Sequence, residues 1–343
     1  MLPRREQFSG CLIGQCLGDA LGFPVEGCPP RICRAYVQEV LRTERAEVQG
    51  RGPFPFGQYT DDSQLARELL LSYLDRGGFD PGDYAGRIAA LFAENRVVGR
   101  GRATEEAARR LARGVPWERA GTPPPSAGNG SAMRAGPVGL LFFDDPPGLI
   151  QAAWDQGRIT HQDRRCAAGA VAIAGAVALA LRGEAAAPER FLERLSQWVR
   201  RVDPATASSV RALARWLVLP PEEAAPRIAR EGLDPGAGDP GEGISPFVTA
   251  SVLWSLYAFL RTRGDYWQTV CTAIAAGGDT DTTAAMAGAI SGAHLGLGAL
   301  PSRLARRVTD RGTWGFTELV DLAHRCYDLK MRLSASPDAR DLT

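Results

Sequence analysis

The basic residues of this sequence include almost no lysine, and histidine is scarce. Of the 40 basic residues only Lys330 is a lysine, the chain has 3 histidines, and its formal net charge is +1. The arginines are interleaved with Asp and Glu, so the sequence predicts no extended basic surface for nucleic acid. A small basic pocket stays compatible with this composition, but nucleic acid is not the expected partner.

The 7 cysteines contain no CxxC pair, and an odd number cannot be joined completely into disulfides. This pattern argues against a zinc site and a disulfide framework, and it is typical of reduced thiols in a cytoplasmic protein. Near the N-terminus Gln15 and Asp19 interrupt the apolar stretch, which argues against a secretory signal. We therefore expect a cytoplasmic protein.

Long hydrophobic runs are also missing. The longest uncharged stretch, residues 166–181, is rich in Ala and Gly. It is shorter than the roughly 20 residues that a membrane-spanning helix needs. The stretch therefore predicts a buried core helix, and we expect no membrane partner.

Helical periodicity dominates what is present, and alternating strand patterns are rare. Leu65, Leu69 and Tyr73, for example, recur at the spacing of one helix face, and Gly77 follows as a stop signal. Residues 138–143 fit either a short strand or a buried helix segment. We predict an all-α protein, built as a compact orthogonal multi-helix bundle.

Glycines recur every four residues near both ends of the chain. They are Gly10, Gly14, Gly18 and Gly22, and then Gly288, Gly292 and Gly296. Such stripes have no side chains and predict close approach of another helix backbone. The Pro- and Gly-rich segments 121–131 and 219–246 are loops by composition and could divide domains. We favour one domain over residues 1–343, with a core at about 8–333 and an irregular C-terminal tail.

Two acidic clusters each open a predicted helix. They are Thr60-Asp61-Asp62-Ser63 and Asp279-Thr280-Asp281-Thr282. Helix capping explains one carboxylate in each cluster, but a second like charge in the same turn gains little and is repelled. If the helix ends converge, four carboxylates crowd together, and protons or cations must neutralise them. Oxygen ligands without clustered Cys or His indicate Mg²⁺ or Mn²⁺, and the number of carboxylates suits two ions.

Two further segments could bind a ligand. Gly128-Asn129-Gly130 fits a turn between helices, but it equally fits a set of exposed backbone N–H groups that hold an anion. His161 precedes the Ala-rich helix. A single histidine at a helix start is more often structural, although it could also donate to a phosphate or a sugar hydroxyl.

These motifs occur in an order that resembles the ADP-ribosylglycohydrolase family. The matching stretches are residues 10–27, 59–66, 128–139, 159–163 and 276–296, which together span most of the chain. The resemblance implies an all-α fold built around two divalent ions, Mg²⁺ or alternatively Mn²⁺. It also implies that ADP-ribose is the recognised group.

The resemblance further assigns roles to individual residues. The implied metal ligands are Thr60, Asp61, Asp62, Asp279, Asp281 and Thr282. The implied catalytic residues are Glu26 and Asp62. The implied substrate-binding residues are Gly101, Asn129, Gly130, Ser131, Met133, His161 and Gly278. Residues 93–104 fit the family pattern only loosely, and this region helps to decide which linkage is cleaved.

The expected function is Mg²⁺-dependent hydrolysis of the C1″ glycosidic bond between ADP-ribose and a protein side chain or other acceptor, which reverses ADP-ribosylation. Two alternatives stay open: a hydrolase of a small ADP-ribose derivative or another N-glycoside, and a catalytically silent relative that binds ADP-ribose. The intact acidic set favours an enzyme. We expect a monomer whose partner is an ADP-ribosylated protein or a small-molecule ADP-ribose conjugate.

Overall fold

The computed structural model describes residues 2–43, 50–233 and 241–335. Within these ranges the chain forms seventeen α-helices, with isolated β-bridges between loops and no strand. The first eight are α1 Arg5–Gly22, α2 Pro30–Tyr36, α3 Asp61–Arg76, α4 Pro81–Ala93, α5 Arg102–Ala112, α6 Trp117–Ala120, α7 Gly136–Leu141 and α8 Pro146–Arg158. The others are α9 Arg164–Leu181, α10 Pro188–Val199, α11 Pro204–Ala212, α12 Pro221–Ile228, α13 Val248–Arg261, α14 Tyr266–Ala275, α15 Thr280–Leu295, α16 Ser302–Ala305 and α17 Phe316–Ala335. The predicted all-α class is therefore confirmed.

Helix α9 runs through the interior of the fold. Every residue from Cys166 to Leu181 is buried, and helices α7, α8, α10, α13 and α15 surround it. By length and composition α9 could cross a membrane, yet 89% of it lies buried inside the protein. The prediction of a buried core helix is confirmed.

The glycine stripes of α1 and α15 face each other. A Cβ atom added at Gly10 would lie 2.5 Å from the carbonyl oxygen of Gly292, and one added at Gly14 would lie 2.5 Å from that of Gly288. Real Cβ atoms do not approach so closely, so only glycine permits this backbone contact. Because these pairs run in opposite directions along the chain, the helices are antiparallel. The end of α1 therefore lies beside the start of α15.

Helix α12 lies inside the predicted loop 219–246, and one ambiguous segment is resolved. Residues 138–143 belong mostly to helix α7, so the strand alternative is wrong. All 7 cysteines are unpaired. Of the predicted loop 219–246, residues 234–240 lie outside the described ranges, as does the tail from 336 onward. The single-domain organisation stays a prediction.

Candidate active site

The start of α15 is held by backbone contacts on both sides. Gly277 and Gly278 have φ of +72° and +80°, and they lead directly into Asp279. The Gly278 amide donates to the Cys28 carbonyl oxygen at 2.9 Å, and the Asp279 amide donates to the Ile244 carbonyl oxygen at 2.8 Å. A side chain at Gly278 would collide with the Ile244 backbone, so this position requires glycine. The turn therefore fixes where Asp279 and Asp281 begin the helix.

The start of α3 is held by a carboxylate from another helix. Asp19 of α1 accepts from the Thr60 amide at 3.0 Å, from the Ser63 amide at 3.2 Å and from the Ser63 hydroxyl at 2.7 Å. Since Thr60 makes no capping bond with its own side chain, Asp19 caps α3 in its place. This contact sets Asp61 and Asp62 at the same end of α1 as the start of α15.

The two helix starts converge, as the sequence predicted. Carboxylate oxygens of Asp19, Asp62 and Asp281 lie within 4.8 Å of one another, and so do those of Glu26, Asp279 and Asp281. Asp281 belongs to both groups, so they form one continuous cluster. We call these five residues the carboxylate cluster.

Burial of the carboxylate cluster raises the pKa values of its aspartates. Burial, and then the charges of Asp281, Asp19 and Asp61, raise the pKa of Asp62 well above its ordinary value. Burial and the charge of Asp279 do the same for Asp281. Burial raises the pKa of Asp19 to about 7, although its hydrogen bonds oppose the change. Without counter-ions the cluster therefore retains protons, and bound cations would replace them.

The chemistry of the donor set fits divalent cations with hard oxygen ligands. The Thr60 hydroxyl oxygen and Asp62 Oδ2 are buried, and among the described residues neither has a hydrogen-bond partner. Uncompensated buried polar atoms are costly, which favours a ligand at this point. The Thr282 hydroxyl donates to Asp62 Oδ1 at 3.3 Å. Thr60, Asp62, Asp279, Asp281 and Thr282 are thus brought together.

The Asp61 carboxylate contacts a neighbouring loop. It is in neither carboxylate group. A Cβ atom at Gly99 would lie 3.1 Å from Asp61 Oδ1, and one at Gly101 would lie 3.8 Å from Oδ2. Its amide donates to the Val98 carbonyl oxygen at 2.7 Å. In this structure Asp61 therefore holds the loop that contains Gly101, and burial raises its pKa well above the ordinary value.

Glu26 follows the short 3₁₀ turn Phe23–Val25 at the end of α1. It is half-buried and forms an ion pair with Arg51, whose guanidinium also donates to the Phe23 carbonyl oxygen at 2.9 Å and lies over the Phe23 ring. Its carboxylate still falls within the group of Asp279 and Asp281. Glu26 thus joins the cluster at its more exposed side.

The loop of Asn129 meets the cluster directly. The Asn129 amide nitrogen donates to Asp279 Oδ2 at 2.5 Å and to the Ser251 hydroxyl at 3.0 Å. Gly130 packs against the His161 ring, since a Cβ atom there would lie 2.7 Å from Cε1 of the imidazole. The buried His161 therefore borders the same loop.

Ser131 and Met133 contribute differently from what their motif implies. The Ser131 hydroxyl is fully buried and donates to the Cys166 carbonyl oxygen at 2.8 Å. The Met133 carbonyl oxygen accepts from Gln15 at 3.0 Å, and Met133 itself is buried. In this structure the Ser131 hydroxyl is therefore turned toward α9, and the Met133 backbone is tied to α1.

The opening of the site is marked by partly exposed residues around buried carboxylates. Gly101 is exposed, while Glu26, Gly130 and Gly278 are half-buried, and the aspartates behind them are buried. A ligand that reaches the cluster from the surface would therefore pass these glycines.

Sequence reasoning missed two residues that build the site. Asp19 caps α3, and Gln15 donates both to the Asp62 carbonyl oxygen and to the Met133 carbonyl oxygen at 3.0 Å. Both are polar residues within a glycine-rich, otherwise apolar helix face. A buried polar side chain requires partners, so their position was a readable signal.

The chain resembles known proteins along nearly its whole length. A family model described as ADP-ribosylglycohydrolase matches residues 2–335. The ADP-ribosylhydrolase ARH3 of Danio rerio is 30% identical over 346 residues, covering 94% of this chain and 90% of that protein. The ADP-ribosylarginine hydrolase Tri1 of Pseudomonas putida is 26% identical, covering 88% of this chain and 74% of that protein.

A solved structure described as an ADP-ribosylglycohydrolase-related protein complex has the same fold. It matches with a TM-score of 0.70 and 31% identity, covering 96% of this chain and 99% of that one. Together with a carboxylate cluster able to hold metal ions, these matches lead to one conclusion: the chain belongs to the ADP-ribosylglycohydrolase family and is a glycosyl hydrolase.

Proposed function

We propose that this enzyme uses two divalent cations, Mg²⁺ or alternatively Mn²⁺, to hydrolyse the C1″ glycosidic bond of ADP-ribose attached to an acceptor. The observation that carries the proposal is the carboxylate cluster, in which two overlapping groups share Asp281. A cluster of this kind beside a glycine loop and a buried histidine offers places for cations, a diphosphate and a sugar.

The residues that would hold the cations are Thr60, Asp62, Asp279, Asp281 and Thr282, with Asp19 and Glu26 adjoining them. When bound, such ions supply positive charge for the sugar hydroxyls and for a nucleophilic water. Asp61 is a ligand only if its carboxylate turns from the loop of Gly101. The cluster suits this role because its oxygens are preplaced by the caps and turns described above.

Proton transfer is assigned to Glu26. It is the cluster carboxylate that is half exposed, so it can meet both solvent and the bond to be cleaved. Asp62 is buried behind it and would act by holding charge at the reacting sugar. Arg51 pairs with Glu26 and directs its carboxylate.

Substrate binding is assigned to the rim of the site. The Asn129–Gly130 loop and His161 would contact the diphosphate or the distal ribose, and Gly101 and Gly278 would let the ribose approach backbone closely. Ser131 and Met133 would act through their backbone and through packing. Rim glycines without side chains leave room for a sugar to reach the buried oxygens.

The substrate is an ADP-ribosylated protein side chain or a small-molecule ADP-ribose conjugate. Relatives with the names ADP-ribosylhydrolase ARH3 and ADP-ribosylarginine hydrolase Tri1 support this class of substrate without choosing the linkage. The loop at residues 97–101, held by Asp61 and by Gln64, borders the cluster where the acceptor would leave. The cytoplasmic location and the monomeric state stay predictions from the sequence.

The decisive experiment is a panel of substrates with defined linkages: ADP-ribosyl-arginine, ADP-ribosyl-serine, an O-acetyl ester and an ADP-ribosylated nucleobase. Each is assayed with Mg²⁺, with Mn²⁺ and with EDTA. The proposal expects release of free ADP-ribose from at least one substrate with metal and none with EDTA. Full activity in a verified metal-free preparation would refute the metal, and binding of ADP-ribose without turnover of any substrate would favour a silent relative.

A further inference from the structure

A chain of three buried polar side chains lies behind the glycine loop. Arg134 Nη2 donates to the Thr160 hydroxyl oxygen at 2.8 Å, and that oxygen lies 2.8 Å from His161 Nδ1. Arg134 and Thr160 are fully buried, and His161 is 3% exposed. These are side-chain hydrogen bonds and not part of any helix backbone, so a linear arrangement of three buried polar groups needs another reason.

The direction of the hydrogen bonds follows from the chemistry of the groups. A guanidinium only donates, so the Thr160 oxygen accepts from Arg134 and has a single hydrogen left to give. The acceptors near that hydrogen are His161 Nδ1 at 2.8 Å and the Gly157 carbonyl oxygen at 3.5 Å, and the shorter contact prevails. Nδ1 therefore accepts, and the proton of the neutral imidazole resides on Nε2.

The protonated nitrogen faces the loop where a ligand would lie. A Cβ atom at Gly128 would be 3.5 Å from His161 Nε2, and one at Gly130 would be 3.2 Å from it. Among the described residues Nε2 has no hydrogen-bond partner. His161 is 3% exposed, and a donor nitrogen left without a protein partner beside this loop is suited to an oxygen atom of a ligand.

Arg134 is itself anchored to that loop. Its Nε donates to the Gln156 side-chain oxygen at 2.9 Å and its Nη2 to the Gln156 carbonyl oxygen at 2.8 Å. The Gln156 amide nitrogen in turn donates to the Ser131 carbonyl oxygen at 2.8 Å. The same buried group thus sets both the loop and the histidine beside it. Burial and then the Arg134 charge lower the pKa of His161 to about 3, so the imidazole stays neutral at ordinary pH.

We propose that Arg134 and Thr160 are positioning residues that fix His161 as an Nε2–H donor to an oxygen acceptor of ADP-ribose. The identity of that ligand rests on the proposed function. The hydrogen-bonded series Arg134–Thr160–His161, which we call the relay, is a property of the free protein. The relay makes the site selective. With His161 Nε2–H as a fixed donor, the site binds a phosphate or hydroxyl oxygen and disfavours a ligand group that can only donate.

The first test measures the tautomer directly in the full-length protein. Side-chain ¹⁵N NMR distinguishes the two neutral tautomers, and a His161→Gln variant identifies the signals of His161 among the 3 histidines. We expect Nε2–H in the wild type and in Thr160→Ser, which keeps the hydroxyl. Thr160→Val and Arg134→Gln should each populate the Nδ1–H form. A wild-type Nδ1–H tautomer, or an unchanged tautomer in Thr160→Val, would overturn the relay.

The second test measures affinity by calorimetry, with ADP-ribose as the probe. Thr160→Val should weaken binding by about 10-fold, because the donor is no longer held, whereas Thr160→Ser should stay within about 2-fold of the wild type. Equal losses for ADP and ADP-ribose place the contact on the diphosphate, and a loss confined to ADP-ribose places it on the distal ribose. Unchanged affinity in a Thr160→Val protein with an altered tautomer would overturn the role in binding.

The two tests separate failure of the relay from failure of the proposed function. A wild type that binds no ADP-ribose would refute the ligand, while the NMR comparison would still decide the relay. If Arg134→Gln does not fold, the Val and Ser variants of Thr160 decide the matter, since Val has nearly the shape of threonine and Ser is only one methyl group smaller.

Discussion

The two helix starts that meet at the carboxylate cluster are held by different kinds of contact. Helix α15 is placed by backbone against backbone, through the glycine stripe of α1 and the turn at Gly277–Gly278. Helix α3 is placed by side-chain hydrogen bonds, chiefly from Asp19 and Gln15 of the same α1. The first attachment fails when volume is added, and the second fails when a polar atom is removed. Helix α1 is therefore the common support of both halves of the site.

The largest effect is expected at Glu26, which follows the turn after α1 and joins the α15 side of the cluster. If it transfers the proton, Glu26→Gln should keep substrate affinity and lower kcat by about 10²–10⁴-fold. The exposed Glu39, changed to Gln, is the matched control and should leave kcat unaltered. Partial rescue by raised Mg²⁺ would indicate a metal ligand instead, and wild-type kcat at low Mg²⁺ would remove Glu26 from both roles.

The attachment of α15 is tested by adding one methyl group. Gly14→Ala should destabilise the protein by about 3 kcal/mol, because the new Cβ would lie 2.5 Å from the Gly288 carbonyl oxygen. Gly86 also lies inside a helix, α4, but nothing is within 4 Å of its Cβ position. Gly86→Ala should therefore stabilise by about 0.5–1 kcal/mol. Chemical denaturation measures both, and equal effects would contradict the backbone contact.

The attachment of α3 is tested by removing its cap. Asp19→Ala should cost about 2 kcal/mol of stability, because the Thr60 and Ser63 amides lose their acceptor. It should also weaken Mn²⁺ binding by about 10–100-fold, since Asp62 is no longer held in place. Ser63→Ala removes one of these bonds and should cost about 1 kcal/mol. An Asp19→Ala protein with wild-type metal affinity would show that the cap does not position the ligands.

At the start of α3, the neighbouring residues Asp61 and Asp62 should differ in how much they contribute to metal affinity. Asp62→Asn should weaken Mn²⁺ binding at least about tenfold more than Asp61→Asn, because only Asp62 lies in a carboxylate group. Titration calorimetry on both variants gives the comparison. Equal losses would mean that the Asp61 carboxylate turns from the loop of Gly101 toward the ion.

The smallest effect is a pH dependence of thermal stability without metal. Burial raises the folded-state pKa of Asp19 to about 7 and those of Asp62 and Asp281 well above the ordinary value. The folded state thus holds protons more tightly than the unfolded state. This contribution is complete below about pH 4 and is lost as the pH rises through the folded pKa. EDTA should therefore lower Tm by a few degrees more at pH 8 than at pH 5, and the opposite order would contradict the shared cluster.

Much of the fold could be predicted from the sequence, because helices depend on the local pattern of apolar and polar residues. The stretch 166–181 was predicted to form a buried core helix and lies within α9, since it is a continuous apolar run. Helix α8 was not predicted, because Pro146-Pro147-Gly148 reads as a turn. In fact Asp145 caps the helix by accepting from the Gly148 amide, and prolines suit the first helical positions.

Only part of the site could be predicted from the sequence. Paired carboxylates at two helix starts indicated a cluster, because like charges in one turn need a common counter-charge. The roles of Asp19 and of the Arg134–Thr160 pair depend on contacts between distant parts of the chain, such as Asp19 with Ser63. No local spacing encodes such contacts. The direction of the Asp61 and Ser131 side chains is likewise set by packing rather than by motif.

The antiparallel pairing of α1 with α15 has a consequence for synthesis on the ribosome. Gly10 meets Gly292, so α1 leaves the exit tunnel well before the helix on which it packs. Until α15 emerges, the glycine stripe of α1 has no helix packed on it, and the carboxylate cluster is incomplete. The carboxylate cluster is therefore completed only after α15 has been made, because Asp279 and Asp281 belong to it. A chain truncated before α15 would consequently lack Asp279 and Asp281 of the carboxylate cluster.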